Sequence, residues 1–322
     1  MVSKMGVSQI RAQLVQAVKE GDEAGARSLI PQLGAGPRQV RAVLEVMLAD
    51  ADSLVRQAAA FGLGELGGVA SARRLEQQLA IEESRGDHDG AAVIEDITQA
   101  LGRIKGGIAR AGLVRRLERL ARGTPERSEV NELACVLWKQ RHPDLLPSVR
   151  RSLETLSLPE PHGLHGLWVL LEKSPVELAA WARDPTVSLC HKTRALAVLA
   201  EDVPDTLVPV LPAFISAAEP LSEQLLMQDR EALYFYDNLF RLLLRHRERL
   251  FVSFPQTARE SLRTAARRMI TATFPNASPQ AASVLEIAGR PEDAAFLEAH
   301  APEYPVLAKV FHDAARVLRN LH

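Results

Sequence analysis

Cysteine and aromatic residues are scarce in this sequence of 322 residues. The two cysteines, Cys135 and Cys190, lie inside apolar patterns, so we expect small core residues and neither a disulfide framework nor a thiolate metal site. Aromatic residues make up 5% of the chain, which disfavours a β-sandwich because strands prefer aromatic and β-branched side chains. The composition instead favours helices that approach one another closely through small side chains.

Neither an excess of one charge nor a long apolar run is present. The 39 basic and 40 acidic side chains nearly cancel, so no global basic field attracts nucleic acid, which is a disfavoured partner. No apolar run approaches the ~18 residues of a membrane span, and residues 1–22 lack the pattern of a signal peptide. We therefore expect a cytoplasmic protein without membrane insertion.

An internal repeat is the strongest positive signal in the sequence. The segment DADSLVRQAAAFGLGELG at 50–67 returns within 89–106 at an offset of 38 residues, and the same offset continues into the next helix. The matched pairs are Val55 with Val93, Leu63 with Leu101, Gly64 with Gly102, Leu66 with Ile104, Leu75 with Leu113 and Leu79 with Leu117. Such self-similarity predicts a stack of like structural units.

Each unit has the sequence signals of a helical hairpin. Asp52 or Ser53 is placed to cap the first helix, and the pair Gly67-Gly68 is placed to end it. The second helix is predicted to begin near Ala70. The first helix has an apolar face formed by Val55, Ala58, Ala59 and Leu63. Because this face is too apolar for water, the hairpin requires a copy of itself alongside.

The segment at 50–67 resembles the first helix of a HEAT repeat, in the bacterial form also seen in phycobilin lyase subunits. The resemblance covers about residues 50–125 and rests on Asp50 or Asp52, Val55, Arg56, Ala58, Ala59, Leu63, Gly64 and Leu66. It implies an all-α fold, a right-handed α-solenoid of HEAT-like hairpins. It also implies that Arg56 ties neighbouring repeats together and has a structural role, although Ile94 stands at the corresponding position of the second copy.

Alternating helix signals continue outside the repeat and set the predicted domain organisation. We expect residues 1–219 to form the regular solenoid and residues 220–322 to form a divergent helical part that continues or caps it. A non-repeat helical bundle is the alternative for residues 220–322. Within that part, residues 222–250 are predicted to form one long helix.

No motif predicts a catalytic centre, a cofactor or a metal. His162 and His165 have a spacing that two metal ligands can use, but without a third ligand we interpret them as a polar helix start or turn. The segment Asp87–Asp89 is interpreted as a solvated turn that needs no ion. None of the nine histidines is followed by Glu, which argues against the di-iron site of the deoxyhypusine hydroxylases that share this architecture.

Charge placement gives the candidate binding residues. An acidic stretch at 82–96 is followed by a basic one at 103–127. Arg115, Arg119 and Arg122 are predicted on the exposed face of one helix, with Arg116 beside them. They form either a solvated face or a patch that docks an acidic protein segment or a phosphate-bearing ligand, because a guanidinium binds such groups through paired hydrogen bonds. Tyr234, predicted beside arginines on the long helix, is a second interface candidate, with core packing as the alternative.

The favoured function is non-enzymatic: a scaffold or adaptor that binds a protein partner, with an acidic surface, on a concave face. One alternative is a DNA-acting enzyme of the alkylpurine glycosylase type, for which Trp168, Trp181 and Asp184 are suggestive. Another is a chaperone or regulatory subunit that holds an enzyme. Sites and not folds determine function, so the surroundings of these residues in the structure bear on the choice among the three functions.

Overall fold

The computed structural model describes residues 6–320, and within this range the chain is helical with no β-strand. The predicted all-α class is therefore confirmed. The chain divides into two compact units, Met1–Ser157 and Leu158–His322. The domain boundary predicted at 219/220 stays a prediction.

The helices of the first unit pack in two layers, and the arginine-rich helix belongs to one of them. They are α1 (Val7–Glu20), α2 (Glu23–Leu29), α3 (Pro37–Met47), α4 (Ser53–Leu66), α5 (Gly68–Arg85), α6 (His88–Arg103), α7 (Gly107–Arg122), α8 (Arg127–Lys139) and α9 (Leu145–Thr155). Helix α4 contacts α6, which contacts α8, while α5 contacts α7, which contacts α9. The arginines of α7 thus lie between α5 and α9.

Local sequence signals determine where α4 and α5 begin and end. The Asp52 carboxylate caps α4 and accepts a hydrogen bond from the main-chain N–H of Leu54 at 2.9 Å. Gly67, with φ of 67°, ends the helix in the left-handed region that favours glycine. Helix α5 starts at Gly68, two residues before the predicted start near Ala70.

Two glycines of the internal match lie where one helix closely approaches the next. A Cβ atom at Gly64 would lie 2.9 Å from the Cα atom of Ala100 on α6. A Cβ atom at Gly102 would lie 2.6 Å from Cγ1 of Val136 on α8. Because real Cβ contacts are longer than this, glycine allows α4, α6 and α8 to pack at these separations.

Arg56 is buried and joins α4 to α5. Its side chain is 1% exposed, and its Nε lies 2.9 Å from Oε1 of the fully buried Glu82. Its Nη1 donates to the main-chain oxygens of Asp50 and Ala51, at 3.0 and 2.8 Å. Gln78 also donates to Glu82 at 2.7 Å, so the buried carboxylate has several partners. The partner of Arg56 lies on the second helix of the same hairpin.

The second unit is built from more and shorter helices. They are α10 (Gly163–Glu172), α11 (Pro175–Arg183), α12 (Leu189–Leu199), α13 (Leu211–Ala218), α14 (Ser222–Leu226), α15 (Arg230–Arg245), α16 (Arg247–Ser253), α17 (Gln256–Thr273), α18 (Pro279–Ala288), α19 (Asp293–Ala299) and α20 (Pro305–Arg319). Helices α10, α12, α15, α18 and α20 contact one another in series, and α11 contacts α13, which contacts α17.

The prediction of one long helix over residues 222–250 is wrong. Gln228 has φ of 55°, which no α-helix can accommodate, and it separates α14 from α15. The Asp229 carboxylate then caps α15 by accepting from the N–H of Ala232 at 2.8 Å. A second break at His246 separates α15 from α16. Capping by Asp229 therefore starts a new helix where apolar spacing alone predicted continuity.

Gly64→Ala is expected to lower the free energy of unfolding by about 1–3 kcal/mol, because the added methyl group forces α4 away from α6. Gly112→Ala on α7 is the matched control, since its Cβ would lie at an ordinary 3.6 Å from Glu76. The control is expected to be neutral or to stabilise by up to about 1 kcal/mol through helix propensity. Urea unfolding measures both, and equal effects would contradict the close approach.

Arg56→Met is expected to lower the free energy of unfolding by about 3–5 kcal/mol, because it removes the buried partner of Glu82. Arg11→Met is the control, since Arg11 is partly exposed and lies 3.8 Å from Asp50 in a surface ion pair. Such pairs contribute about 0–1 kcal/mol. Equilibrium denaturation of the two variants tests this difference, and a cost below that of the control would show that the buried pair is dispensable.

Candidate functional site

The arginines of α7 form ion pairs with the acidic residues of α5. Arg115 binds Glu76 through its Nε, and its side chain remains 49% exposed. Arg119 Nε lies 2.6 Å from Oε2 of Glu83, and its side chain remains 38% exposed. The acidic and basic stretches of the sequence are thus partly neutralised against each other. Both arginines lie on the partly exposed face, as predicted.

Arg122 differs from these two residues. It is exposed at the end of α7 and has no ion pair within residues 6–320. It lines a shallow cleft of about 230 Å³ together with Arg151 and the hydroxyl-bearing Ser152 and Thr155. Of the predicted arginines of α7, Arg122 is therefore the exposed one without an ion pair in the described part of the chain.

The expectation that Arg116 lies on the exposed face is wrong. Its side chain is 2% exposed and its Nη1 donates to the hydroxyl of Thr98 on α6. The next carboxylate oxygen, Oε1 of Glu83, lies 3.8 Å from its Nε, beyond hydrogen-bond distance. Burial lowers the pKa of Arg116, and the attraction of Glu132 and Glu83 does not offset this effect.

A cavity of about 460 Å³ lies beside Arg116, between the α5–α6 turn, α7 and the start of α8. Its lining residues include Glu82, Glu83, Asp87, Ala91, Ile94, Arg116, Arg119, Leu120, Pro125 and Glu129. Three buried atoms of these residues have no hydrogen-bond partner in the described part of the chain: Nε of Arg116, Nη2 of Arg119 and Oε1 of Glu83. Buried polar atoms are normally paired, so this cluster distinguishes the cavity from ordinary packing.

The sequence did not identify Glu83 or Thr98 as part of this site. Glu83 belongs to the acidic stretch, but nothing local shows that it faces Arg119, which lies 36 residues later. A usable signal was the repeat period itself. Residues about one period apart lie on adjacent, similarly placed helices, so an acidic residue and an arginine at that separation become candidate neighbours.

Carboxylates are also partly buried between α6 and α8. Burial, followed by repulsion from Glu95, raises the pKa of Asp96 to about 6. Burial likewise raises the pKa of Glu132, whose Oε1 accepts a hydrogen bond from Gln99 at 3.1 Å. These groups form a polar contact between two helices of the same layer.

Tyr234 lies on α15 in the second unit and is 46% exposed. The guanidinium carbon of Arg194 lies 5.6 Å from the centre of its ring, and Arg194 donates to its hydroxyl at 3.3 Å. Asn238, one turn further along α15, is buried and donates to the main-chain oxygen of Tyr234. Arg241 and Arg245 are engaged with Asp237 and Glu201.

The histidine pair forms a helix start, which confirms its interpretation from the sequence. His162 is the N-cap of α10, and its main-chain N–H is 3.5 Å from Nδ1 of His165. His165 also lies 3.2 Å from Glu160 through its Nε2. Within residues 6–320, no group of three or more His, Cys, Asp or Glu side chains is arranged to hold a metal ion.

Two of the three residues that suggested a glycosylase, Trp181 and Asp184, are engaged in local contacts. Trp181 packs edge-on against Phe214, with ring centres 6.2 Å apart. The Asp184 carboxylate accepts hydrogen bonds from the N–H and the hydroxyl of Thr186, which lowers its pKa.

None of the helices described between residues 6 and 320 has the length and apolar character needed to cross a membrane.

Comparison of the chain with protein-family models, with curated proteins and with solved structures gave no match.

Asp96→Asn is expected to stabilise the protein at neutral pH. Because the folded-state pKa of Asp96 is about 6, against 3.8 for the ordinary group, its contribution to stability is fully present below pH 3.8 and is lost as the pH rises to about 6. Because Asp96 is partly exposed and solvent screens its charge, we expect Asp96→Asn to raise the free energy of unfolding at pH 7 by about 1–2 kcal/mol. This gain vanishes near pH 4. Denaturation at several pH values measures it.

Glu154→Gln is the control for this prediction, because Glu154 is an exposed carboxylate on α9 of the same unit. Its effect on stability should be small because its side chain is exposed to solvent. A gain from Asp96→Asn that is independent of pH would contradict the buried-charge explanation.

Proposed function

We propose that the chain is a non-enzymatic HEAT-like scaffold or adaptor that binds a protein partner on the surface formed by α5, α7 and α9. In this proposal the hairpins stack as a right-handed α-solenoid, and the second helix of each hairpin lines its concave face. The serial contacts of α4, α6 and α8, and of α5, α7 and α9, support the stacking. The glycine contacts at Gly64 and Gly102 support it as well. A cytoplasmic location and the lack of a cofactor belong to the same proposal.

The observation that carries the proposal is the row of partly exposed arginines on α7. Arg115 and Arg119 each use Nε for their ion pairs with α5, and a guanidinium has further N–H donors, at both Nη atoms of Arg115 and at Nη1 of Arg119, whose Nη2 is buried. Arg122 adds a guanidinium with no internal ion pair within the described chain. A partner with acidic side chains would gain charge-assisted hydrogen bonds along this row.

Tyr234 is a second proposed contact. An exposed tyrosine beside an arginine is a common combination at the energetic centre of interfaces, and Arg194 occupies that place here. The ring is already held by Arg194, so little side-chain freedom is lost on binding.

The double variant Arg115→Glu/Arg119→Glu is expected to weaken binding of the partner by about tenfold or more, because it replaces two attractive charges with repulsive ones. Candidate partners come from affinity capture on the wild-type chain in the source cell. Each is then purified, and its Kd for wild type and variants is measured by calorimetry. Arg122→Glu should weaken binding in the same direction.

Arg316→Glu is the matched control, since Arg316 lies on α20, is 73% exposed and, among residues 6–320, forms its ion pair with Asp313. Unchanged Kd values for every purified partner in the double variant would show that α7 is not the contact surface. DNA binding that falls steeply with salt and disappears in the same variant would instead favour the DNA-acting alternative.

A further inference from the structure

The cavity beside Arg116 contains two arginine side chains that are not fully neutralised. Arg56, the other buried guanidinium nearby, is paired with Glu82 at 2.9 Å. Among the residues that the structure describes, Arg116 has no carboxylate within hydrogen-bond distance, and Glu83, at 3.8 Å, is already bound to Arg119. A buried charge without a hydrogen-bonded counter-ion is costly. An anionic ligand at this point would therefore gain more than one bound at an ordinary surface arginine.

The unpaired atoms specify the hydrogen-bonding character of that ligand. Arg116 Nε and Arg119 Nη2 are donors without acceptors, and Glu83 Oε1 is an acceptor without a donor. A carboxylate would satisfy the two donors but would place a second acceptor against Glu83. Sulfate has the same defect, since it has no proton at neutral pH. Phosphate keeps at least one O–H group at neutral pH and can meet all three atoms.

We propose that this cavity binds phosphate, free or as a small monoester, in a form that keeps one proton. Its oxygens accept hydrogen bonds from Arg116 and Arg119, and its hydroxyl donates to Glu83. This small-ligand site goes beyond the proposed partner surface, because it depends on Arg116 and Glu83 and does not involve Arg122.

The dimensions and the walls of the cavity suit such a ligand. Its volume of about 460 Å³ falls within the usual range for small-molecule sites and exceeds the volume of phosphate alone. The additional room lies beside apolar walls formed by Ala91, Ile94, Leu120 and Pro125, which can contact the organic part of a monoester.

Entry requires one side chain to move. The three unpaired atoms are buried. Arg119 is the movable wall, because its side chain is 38% exposed and its described hydrogen bond is the one to Glu83. Rotation of its guanidinium opens the path to Arg116 and lets both arginines contact one ligand.

The neighbouring carboxylates have partners of their own. Glu82 is held by Arg56 and Arg85. Asp87 caps α6 by accepting from the N–H of Gly90, and Glu129 accepts from the N–H of Glu126. Their charges are thus engaged at helix ends and ion pairs, which reduces their repulsion toward an entering anion.

Calorimetric titration of the full chain with inorganic phosphate, sulfate and acetate, at one ionic strength and neutral pH, tests the proposal. Phosphate is expected to bind with a Kd at least about tenfold lower than that of sulfate or acetate. Arg119→Gln should raise the Kd for phosphate by about tenfold or more. Glu83→Gln should abolish the preference over sulfate, because the amide can donate to an oxyanion that has no proton.

Arg122→Gln is the matched control on the same helix, and it should leave the Kd for phosphate unchanged. Glycerol phosphate, titrated below and above pH 6, distinguishes the monoester from free phosphate, because a monoester loses its last proton near that pH. A lower Kd for glycerol phosphate below pH 6 than above it identifies the monoester as the ligand. A lower Kd for inorganic phosphate than for glycerol phosphate at neutral pH identifies the free ion.

Three results would overturn the proposal: no phosphate binding up to about 10 mM, equal affinity for phosphate and sulfate, or equal losses from Arg119→Gln and Arg122→Gln. Thermal unfolding of each variant shows whether a loss reflects misfolding. Partner binding that persists while phosphate fails to bind would reject this site alone and leave the scaffold proposal standing.

Discussion

The close approach of successive helices at small residues is the constraint on which the first unit depends. Gly64 and Gly102 remove the side chains that would hold α4, α6 and α8 apart. Apolar faces that water would otherwise contact are then buried against the next helix. Once this layer forms, α5, α7 and α9 are brought side by side as the second layer. The charged residues of that second layer meet as a consequence.

Electrostatic contacts between adjacent helices follow from this arrangement. Arg119 meets Glu83 and Arg110 meets Asp144, so α7 is bound to the helices on both sides. Exposed pairs of this kind contribute little to stability by themselves. They do, however, hold the arginines in defined positions. A guanidinium that is already oriented loses less freedom on binding than a free one, so these contacts also prepare the surface for a ligand.

The buried arginines Arg56 and Arg116 of this unit differ in their hydrogen-bond partners. Arg56 donates hydrogen bonds to the carboxylate of Glu82 and to two main-chain oxygens, which is the arrangement expected of a structural residue. Arg116 has one hydroxyl partner and an unpaired Nε. The contrast matters because a protein gains nothing in stability from leaving a buried donor unpaired. The unpaired Nε of Arg116 therefore supports the proposed binding role.

The sequence by itself determined the all-α class and several helix ends, because these depend on local chemistry. Asp52 caps α4, Gly67 ends it, and His162 starts α10, each through contacts with residues only a few positions away. The partly exposed face of α7 at Arg115 and Arg119 also followed from helical spacing. About half of the candidate site was predictable in this way.

Only the tertiary structure decided the rest. Helical spacing placed Arg116 beside its exposed neighbours, yet its side chain is buried and donates a hydrogen bond to Thr98 on α6. Apolar spacing predicted one helix where Gln228 and Asp229 make a break. Glu83 joined the site because two layers of helices bring it to Arg119 across 36 residues. Burial and long-range pairing depend on which elements meet in space, and no local pattern contains that information.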